Sequence, residues 1–303
     1  MNAPSVTAIV ATKDRPQLLR RCVEAVLSQR YAGPLDLIVV YDGQAPDRAV
    51  CETDPGRIQV LTNHRTPGLA GARNTGMLAA SGEYLAFCDD DDCWLPEKLA
   101  TQIRRLQHSP RGSVAVSGIR IVSGQHRVER RAPEGTVERG ALLRHRTAAL
   151  HPSTIVANRA IALSEIGLVN ETIPGGYGED YDWLLRAAGT GGLVAVPDVL
   201  TEVHWHESSY FDSQWTTMAA GLEWILRAHP DFARCRRGNG RVKGQIAFAY
   251  AAAGRRGLAC RWAWSSLRAS PLEPRPYLSL AVAGGMLRPA WLVRQLHARG
   301  RGI

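Results

Sequence analysis

The chain opens on an alternation of short apolar runs and amphipathic segments. Val6–Ala11 reads as a strand, and Leu18, Leu19, Cys22, Val23, Ala25 and Val26 lay an apolar stripe at helical spacing over residues 15–29. Asp14 stands where it would cap that helix, and Pro16 falls in its first turn, where a missing N–H costs little. Leu35–Tyr41 is a nearly continuous apolar run, as expected of a strand covered on both faces. Further strands are predicted at Ile58–Leu61 and Tyr84–Cys88, with a helix over 70–80 between them. Leu95, Leu99, Ile103 and Leu106 then mark an amphipathic helix with Pro96 in its first turn. This strand–helix spacing predicts right-handed βαβ units, hence an α/β fold with a mostly parallel sheet flanked by helices.

The pattern loosens after residue 110. Strands are predicted near Val114–Val116, Thr154–Ala157, Leu193–Val196 and Val199–Val203, and a helix over 181–189. Beyond residue 215 the chain reads as mostly helical. Charge changes there too: residues 1–226 carry a formal −4 and residues 227–303 carry +13. Nucleic acid, an anionic membrane surface or an acidic substrate would suit such a region, and so would a merely solvated face. No helix-turn-helix, zinc or aromatic–glycine signature accompanies the charge, so no nucleic-acid partner is expected.

Six cysteines lack any Cys-x-x-Cys pair, which predicts neither a zinc site nor a disulfide framework and fits a reducing cytoplasm. No apolar run approaches the roughly 20 residues of a membrane span, and the N-terminus lacks a basic-then-apolar signal.

In open α/β sheets ligands bind beyond the carboxyl ends of the strands. Those ends carry Thr12-Lys13-Asp14, Asp42-Gly43 and the run Asp89-Asp90-Asp91-Asp92. Two like charges about 6 Å apart repel by roughly 3 kcal/mol at an effective dielectric of 20. Four aspartates in a row therefore call for a cation or donors to offset them. Oxygen ligands favour Mg²⁺ or Mn²⁺ over zinc or copper. In an extended segment Asp89 would share a face with Asp91, and Asp90 with Asp92. The alternative is an acidic surface turn before a capped helix.

The stretches Val6–Pro16, Asp36–Gly43, Gly68–Gly76 and Ser81–Pro96, in this order, resemble the nucleotide-sugar half of the family 2 glycosyltransferases, enzymes of the GT-A fold. The resemblance continues more weakly through Gly178–Arg186 and Val203–Ser208. It implies a GT-A domain over 1–215, with a nucleotide-sugar half (1–110) and an acceptor half (111–215). A helical, basic region over 216–303 follows.

The roles implied are specific. Asp91 corresponds to the last carboxylate of the D-x-D motif that ligates Mn²⁺ or Mg²⁺, and Asp89 to its first, near ribose or the metal. Asp42 corresponds to the aspartate that recognises the base. Thr12, Asp14 and Arg15 line the nucleotide pocket, and Arg73 and Asn74 contact the donor. Asp90 is placed with the nucleotide-sugar residues but has no defined role. His206 resembles a late histidine near the diphosphate or metal.

Sugar transfer also needs a base for the acceptor proton. The Glu179-Asp180 pair opens an apparent helix, and the resemblance makes Asp180 that base and Glu179 its support. Read without it, the pair is equally a favourable helix N-terminus. Trp94, Trp183 and Trp205 flank the motifs and suit either stacking on a sugar or burial. His151 and His204 carry weaker signals.

The function expected is metal-dependent inverting transfer from a UDP-, GDP- or TDP-type sugar to an acceptor such as a lipid, polysaccharide, natural product or peptide. The setting expected is cytoplasmic, with peripheral contact at the inner membrane face as an option for the basic region. The alternatives are a nucleotidyltransferase, disfavoured because residues 11–16 hold no glycine, and a non-catalytic nucleotide-sugar-binding scaffold.

Overall fold

The computed structural model describes residues 3–109, 112–146, 149–205 and 214–297. Its strands are β1 (Val6–Thr12), β2 (Leu35–Tyr41), β3 (Ile58–Thr62), β4 (Tyr84–Asp89), β5 (Cys93–Trp94), β6 (Val114–Ser123), β7 (His126–Arg130), β8 (Gly135–Val137), β9 (Val156–Asn158) and β10 (Leu193–His204). Its helices are α1 (Pro16–Leu27), α2 (Leu69–Ala79), α3 (Lys98–Gln107), α4 (Arg139–Arg144), α5 (Arg159–Ile161), α6 (Glu179–Ala187), α7 (Trp215–Ala228), α8 (Arg236–Ala252), α9 (Arg256–Ala269), α10 (Arg275–Ala283) and α11 (Pro289–His297).

All the strands join one sheet in the order β3-β2-β1-β4-β9-β6-β10-β5, with β7 added to β6 and β8 to β10. The consecutive β3-β2-β1-β4 block is parallel, as is the β6–β10 pair. Short β9 lies antiparallel between β4 and β6. Both faces of the parallel block are covered, which is why β1 is buried at every position. On one face Val6, Ala8, Val10, Leu37 and Val39 meet Leu19, Cys22, Val23 and Val26 of α1, joined by Leu99, Ile103 and Leu106 of α3. On the other, α2 approaches β1 so closely that a Cβ on Gly76 would lie 2.4 Å from Ile9 Cγ2. Glycine is the residue that permits this approach, and it seats Arg73 and Asn74 of the same helix.

The structure departs from the sequence reading in a few places. Asp14 does not cap α1: it adopts a left-handed φ of 54°, and Arg15 takes the cap position without a side-chain bond. The chain turns back sharply after β1, and aspartate is among the few residues that tolerate this conformation. Pro96 lies before α3, in a turn closed by Lys98 N–H donating to Leu95 O at 3.1 Å. Residues 193–204 form one strand, whose register against β6 shifts between Val196 and Val199. Pro197 has no N–H to give, so the ladder slips there without ending. Pro152–Thr154 is a short 3₁₀ turn, so β9 begins only at Val156.

The chain forms two compact units. One comprises residues 1–139, 147–171 and 179–205 and holds the sheet; the other comprises 140–146, 172–178 and 206–303 and is helical. Within the helical unit Phe248, Ala251, Ala259, Val282, Ala283 and Leu292 form a core, and Trp215 meets Phe248 edge-on at 5.8 Å. Cys22, Cys88, Cys93, Cys235 and Cys260 are free thiols. Among the described residues no helix is long and apolar enough to cross a membrane.

Candidate active site at the carboxyl edge of the sheet

The carboxyl ends of β1, β2 and β4 come together in the sheet-bearing unit. The four aspartates do not continue β4. They form a turn, with Asp92 N–H donating to Asp89 O at 3.0 Å. This replaces the alternate-residue pairing of an extended strand with a different one. Asp90 and Asp91 share Arg15, whose Nη1 lies 3.2 Å from Asp90 Oδ1 and 2.9 Å from Asp91 Oδ2. Asp89 and Asp92 instead group with His151, with one donor atom from each within 4.8 Å of the others.

Each acid has distinct surroundings. Asp90 is buried and accepts from Thr12 Oγ1 at 2.7 Å; burial pushes its carboxyl up to about 6, against the pull of that hydrogen bond and of Arg15. Asp92 is sealed from solvent. It accepts from Ser153 Oγ and from the His204 N–H, and His151 Nδ1 lies 3.3 Å away. Burial, then Asp89 and Asp91, raise the Asp92 carboxyl well above the carboxylate range. Asp89 and Asp91 are partly exposed, each with 21% of its side-chain surface open to solvent. Asp89 N–H donates to Ser153 Oγ at 3.0 Å, so one serine ties together both ends of the turn.

Arg73 supplies the central contact. Its Nη2 donates to Asp89 Oδ1 at 2.5 Å and its Nη1 to Glu179 Oε1 at 2.7 Å. A helix thereby joins the acidic turn to the Glu179-Asp180 pair that opens α6. Glu179 is buried, and its Oε2 has no hydrogen-bond partner. Burial pushes its carboxyl up to about 7, opposed by Arg73 and reinforced by Asp180 and Asp89. Asp180 is half-buried, and its charge acts on Arg73, Glu179 and His151. Burial lowers the His151 imidazole, although Asp89 and Asp180 oppose it.

The remaining expected residues fall around this centre. Asp42 is buried at the end of β2; it accepts from Asn63 Nδ2 at 2.6 Å and from Gly68 N–H at 3.0 Å, which fixes the start of α2. Asn74 is fully buried, with its amide bridging to Val169 and Glu171. Asp14 is exposed, and its N–H donates to Gln44 Oε1. His206 lies outside the described residues. Trp94 and Trp183 follow the burial reading: they are buried and donate to Ser153 O and Gly167 O. Trp205 packs partly buried against Ile119, Ile121 and Val203.

Some contributors were not marked in the sequence. Asn63 follows β3 at the same sheet edge, so its position was a usable signal. Ser153 had none, because a lone serine 61 residues from Asp92 meets it only through the fold. Lys98 is fully buried over the Trp94 ring at 4.3 Å, and burial pushes its ammonium down to about 7.

The residues fit a hard divalent cation. Asp89, Asp92 and His151 offer donor atoms within 4.8 Å of one another, and Asp91 stands in the same turn, a set made mainly of hard carboxylate oxygens.

Solved structures share this fold. One solved relative is S. aureus TarS in complex with UDP-GlcNAc (TM-score 0.61, 15% identity), covering 98% of this chain and 92% of that one. Another is a mannosyltransferase from Pyrobaculum calidifontis in complex with GDP-Man and Mn²⁺ (TM-score 0.58, 17% identity, 95% and 82% covered). At such identities the likeness shows the fold, which is of GT-A type.

Among curated sequences, an Escherichia coli UDP-Glc:alpha-D-GlcNAc-diphosphoundecaprenol beta-1,3-glucosyltransferase is 37% identical over 100 residues, 32% of this chain and 39% of that protein. The succinoglycan biosynthesis protein ExoO of Rhizobium meliloti is 29% identical over 208 residues, 64% and 58% respectively. The chain thus spans between two and three fifths of these relatives' lengths. The profile of glycosyl transferase family 2 matches residues 7–165, a little over half of the sequence. On that match, and with the acidic turn and the Glu-Asp pair joined through Arg73, the chain belongs to the family 2 glycosyltransferases.

Proposed function

We propose that the protein transfers a sugar from a nucleoside-diphosphate donor to an acceptor hydroxyl, with inversion at the anomeric carbon. The observation that carries this reading is the Arg73 bridge, which holds the donor-side turn and the base-bearing helix in one site. Asp89 and Asp91 would hold a Mn²⁺ or Mg²⁺ ion, with Asp92 and His151 in the adjoining cluster and His206 the expected late ligand. When bound, such an ion neutralises charge that develops on the leaving diphosphate. Thr12, Asp14, Arg15 and Asp42 line the nucleotide side.

Asp180 is the general base. It takes the acceptor hydroxyl proton on a carboxylate oxygen while the acceptor oxygen bonds to the anomeric carbon and the bond to the diphosphate breaks. The products are the glycoside, the nucleoside diphosphate and a protonated Asp180, which returns its proton to solvent. Glu179, engaged by Arg73, orients the start of α6. The names of relatives that act on diphosphoundecaprenol-linked sugars support a lipid-linked acceptor.

The test is thermal stabilisation by UDP, GDP, TDP and CDP, each with and without Mn²⁺, beside Asp91→Asn. A ligand at 100 times its Kd adds about 2.7 kcal/mol. Metal-dependent stabilisation by one diphosphate, lost in the variant, supports the reading and names the base. No metal-linked response to any of the four overturns it and leaves a non-catalytic scaffold.

A further inference from the structure

The helical unit carries a surface that the transfer reaction does not use. Across residues 232–303 Glu273 is the only acidic residue, and it is buried with its carboxylate on Arg275 at 2.5 Å. Among the described residues from 232 onward the solvent-facing side therefore shows no free carboxylate.

Exposed apolar groups interrupt this basic surface. On α9 the buried side is Ala259, Ala263 and Ser266, and the exposed side includes Arg261, Trp264 and Arg268. Their spacing of three and four residues puts them in one row along the helix, an indole flanked by two guanidinium groups. Trp264 is 61% exposed; Leu272, in the turn before α10, is 95% exposed; Met286, in the turn before α11, is 75% exposed. Tyr277 and Trp291 add two half-exposed aromatic rings, near Arg275 and between Arg288 and Arg294 in sequence.

A soluble surface has no use for two tryptophans, a leucine and a methionine displayed among arginines. That combination is what an interfacial surface requires. Arginines are drawn to the negative potential of acidic lipids, while indole and aliphatic groups enter the headgroup boundary. Trp262, on the same helix, is turned inward with its Nε1 buried, so the exposure of Trp264 is position-specific.

We propose that the outer surface of α9–α11 docks on an anionic phospholipid bilayer. The inference stands on the helical unit alone and does not depend on the proposed transferase chemistry. Charge selects the partner: an acid-free cationic face complements anionic headgroups, and the apolar groups favour a bilayer over a polyanion.

The experiment is sedimentation of the full chain with phosphatidylglycerol-containing vesicles and with pure phosphatidylcholine vesicles, at low and high salt. Arg261→Glu/Arg268→Glu and Trp264→Ala/Trp291→Ala are run beside it, with circular dichroism and thermal midpoints to show that these surface changes leave the fold intact. Binding to the anionic vesicles alone, weakened by salt and at least about tenfold in each variant, is the expected result. Brominated lipid should quench tryptophan fluorescence in the parent and less in the Trp264→Ala/Trp291→Ala chain. Equal binding to neutral vesicles, no binding to either, or variants that bind as the parent does would overturn the proposal. So would tighter binding to duplex DNA than to vesicles. Nucleotide-induced stabilisation is read separately, so failure here is distinguishable from failure of the donor site.

Discussion

Arg73 donates to Glu179 Oε1 across 2.7 Å, and both side chains are almost sealed from water. Breaking one side of a buried ion pair costs about 3–5 kcal/mol, because the charge left behind has no solvent. Arg73→Met should therefore lower the unfolding free energy by that order. Adding Glu179→Gln to the same chain should recover part of the loss. Chemical denaturation of the two single variants and the double variant checks this; strictly additive losses would show that the pair is not coupled.

Asp180 lies next to that pair but is not an end of the bridge. Asp180→Asn is expected to lower kcat by about 10²–10⁴-fold, the range for losing a general base. Metal-linked nucleotide binding should be retained. Steady-state rates set beside nucleotide-induced thermal shifts separate the two effects, and a matching loss of nucleotide affinity would count against a base.

Stability should depend on pH through Glu179. Its carboxyl is held near 7 in the fold, above its ordinary 4.5, so the folded chain binds more protons than the unfolded chain between those values. Stability must then fall as pH rises through that window. Glu179→Gln removes this contribution, leaving those of Asp90, which is pushed to about 6, and of Asp92, which is also raised. Urea unfolding at pH 5, 6 and 7 measures the difference.

Lys98 gives the opposite sign. Its ammonium is pushed down to about 7 from 10.5, so the unfolded chain binds more protons between these values and stability rises with pH across them. Lys98→Met keeps the packing against Trp94, removes the slope, and should stabilise the protein at pH 7 by removing the desolvation cost of a buried ammonium. A lower thermal midpoint for the variant would instead assign Lys98 a net stabilising contact with the Thr154 carbonyl, which its Nζ reaches at 3.5 Å.

Much of the architecture was legible along the chain. The βαβ block of residues 6–107 follows from apolar runs and stripes whose period each element must satisfy locally. The acidic turn and the Glu179-Asp180 pair announced themselves through charge density at strand and helix ends. Where the reading erred, the cause was a local conformation that several residue types permit. Asp14 turned left-handed instead of capping α1, and Pro197 slipped a ladder without ending it.

The sequence by itself determined the alternating elements of residues 6–107 and the strand ends that carry the acids, since hydrophobic period is a short-range property. Only the tertiary structure decided how the acids are grouped. The turn sets Asp90 with Asp91 on Arg15 and Asp89 with Asp92 by His151, and Ser153 and Arg73 hold these groups across separations of 16 to 106 residues. Such contacts arise when buried polar groups must find partners inside the folded chain, and a pattern of neighbours along the sequence does not encode them.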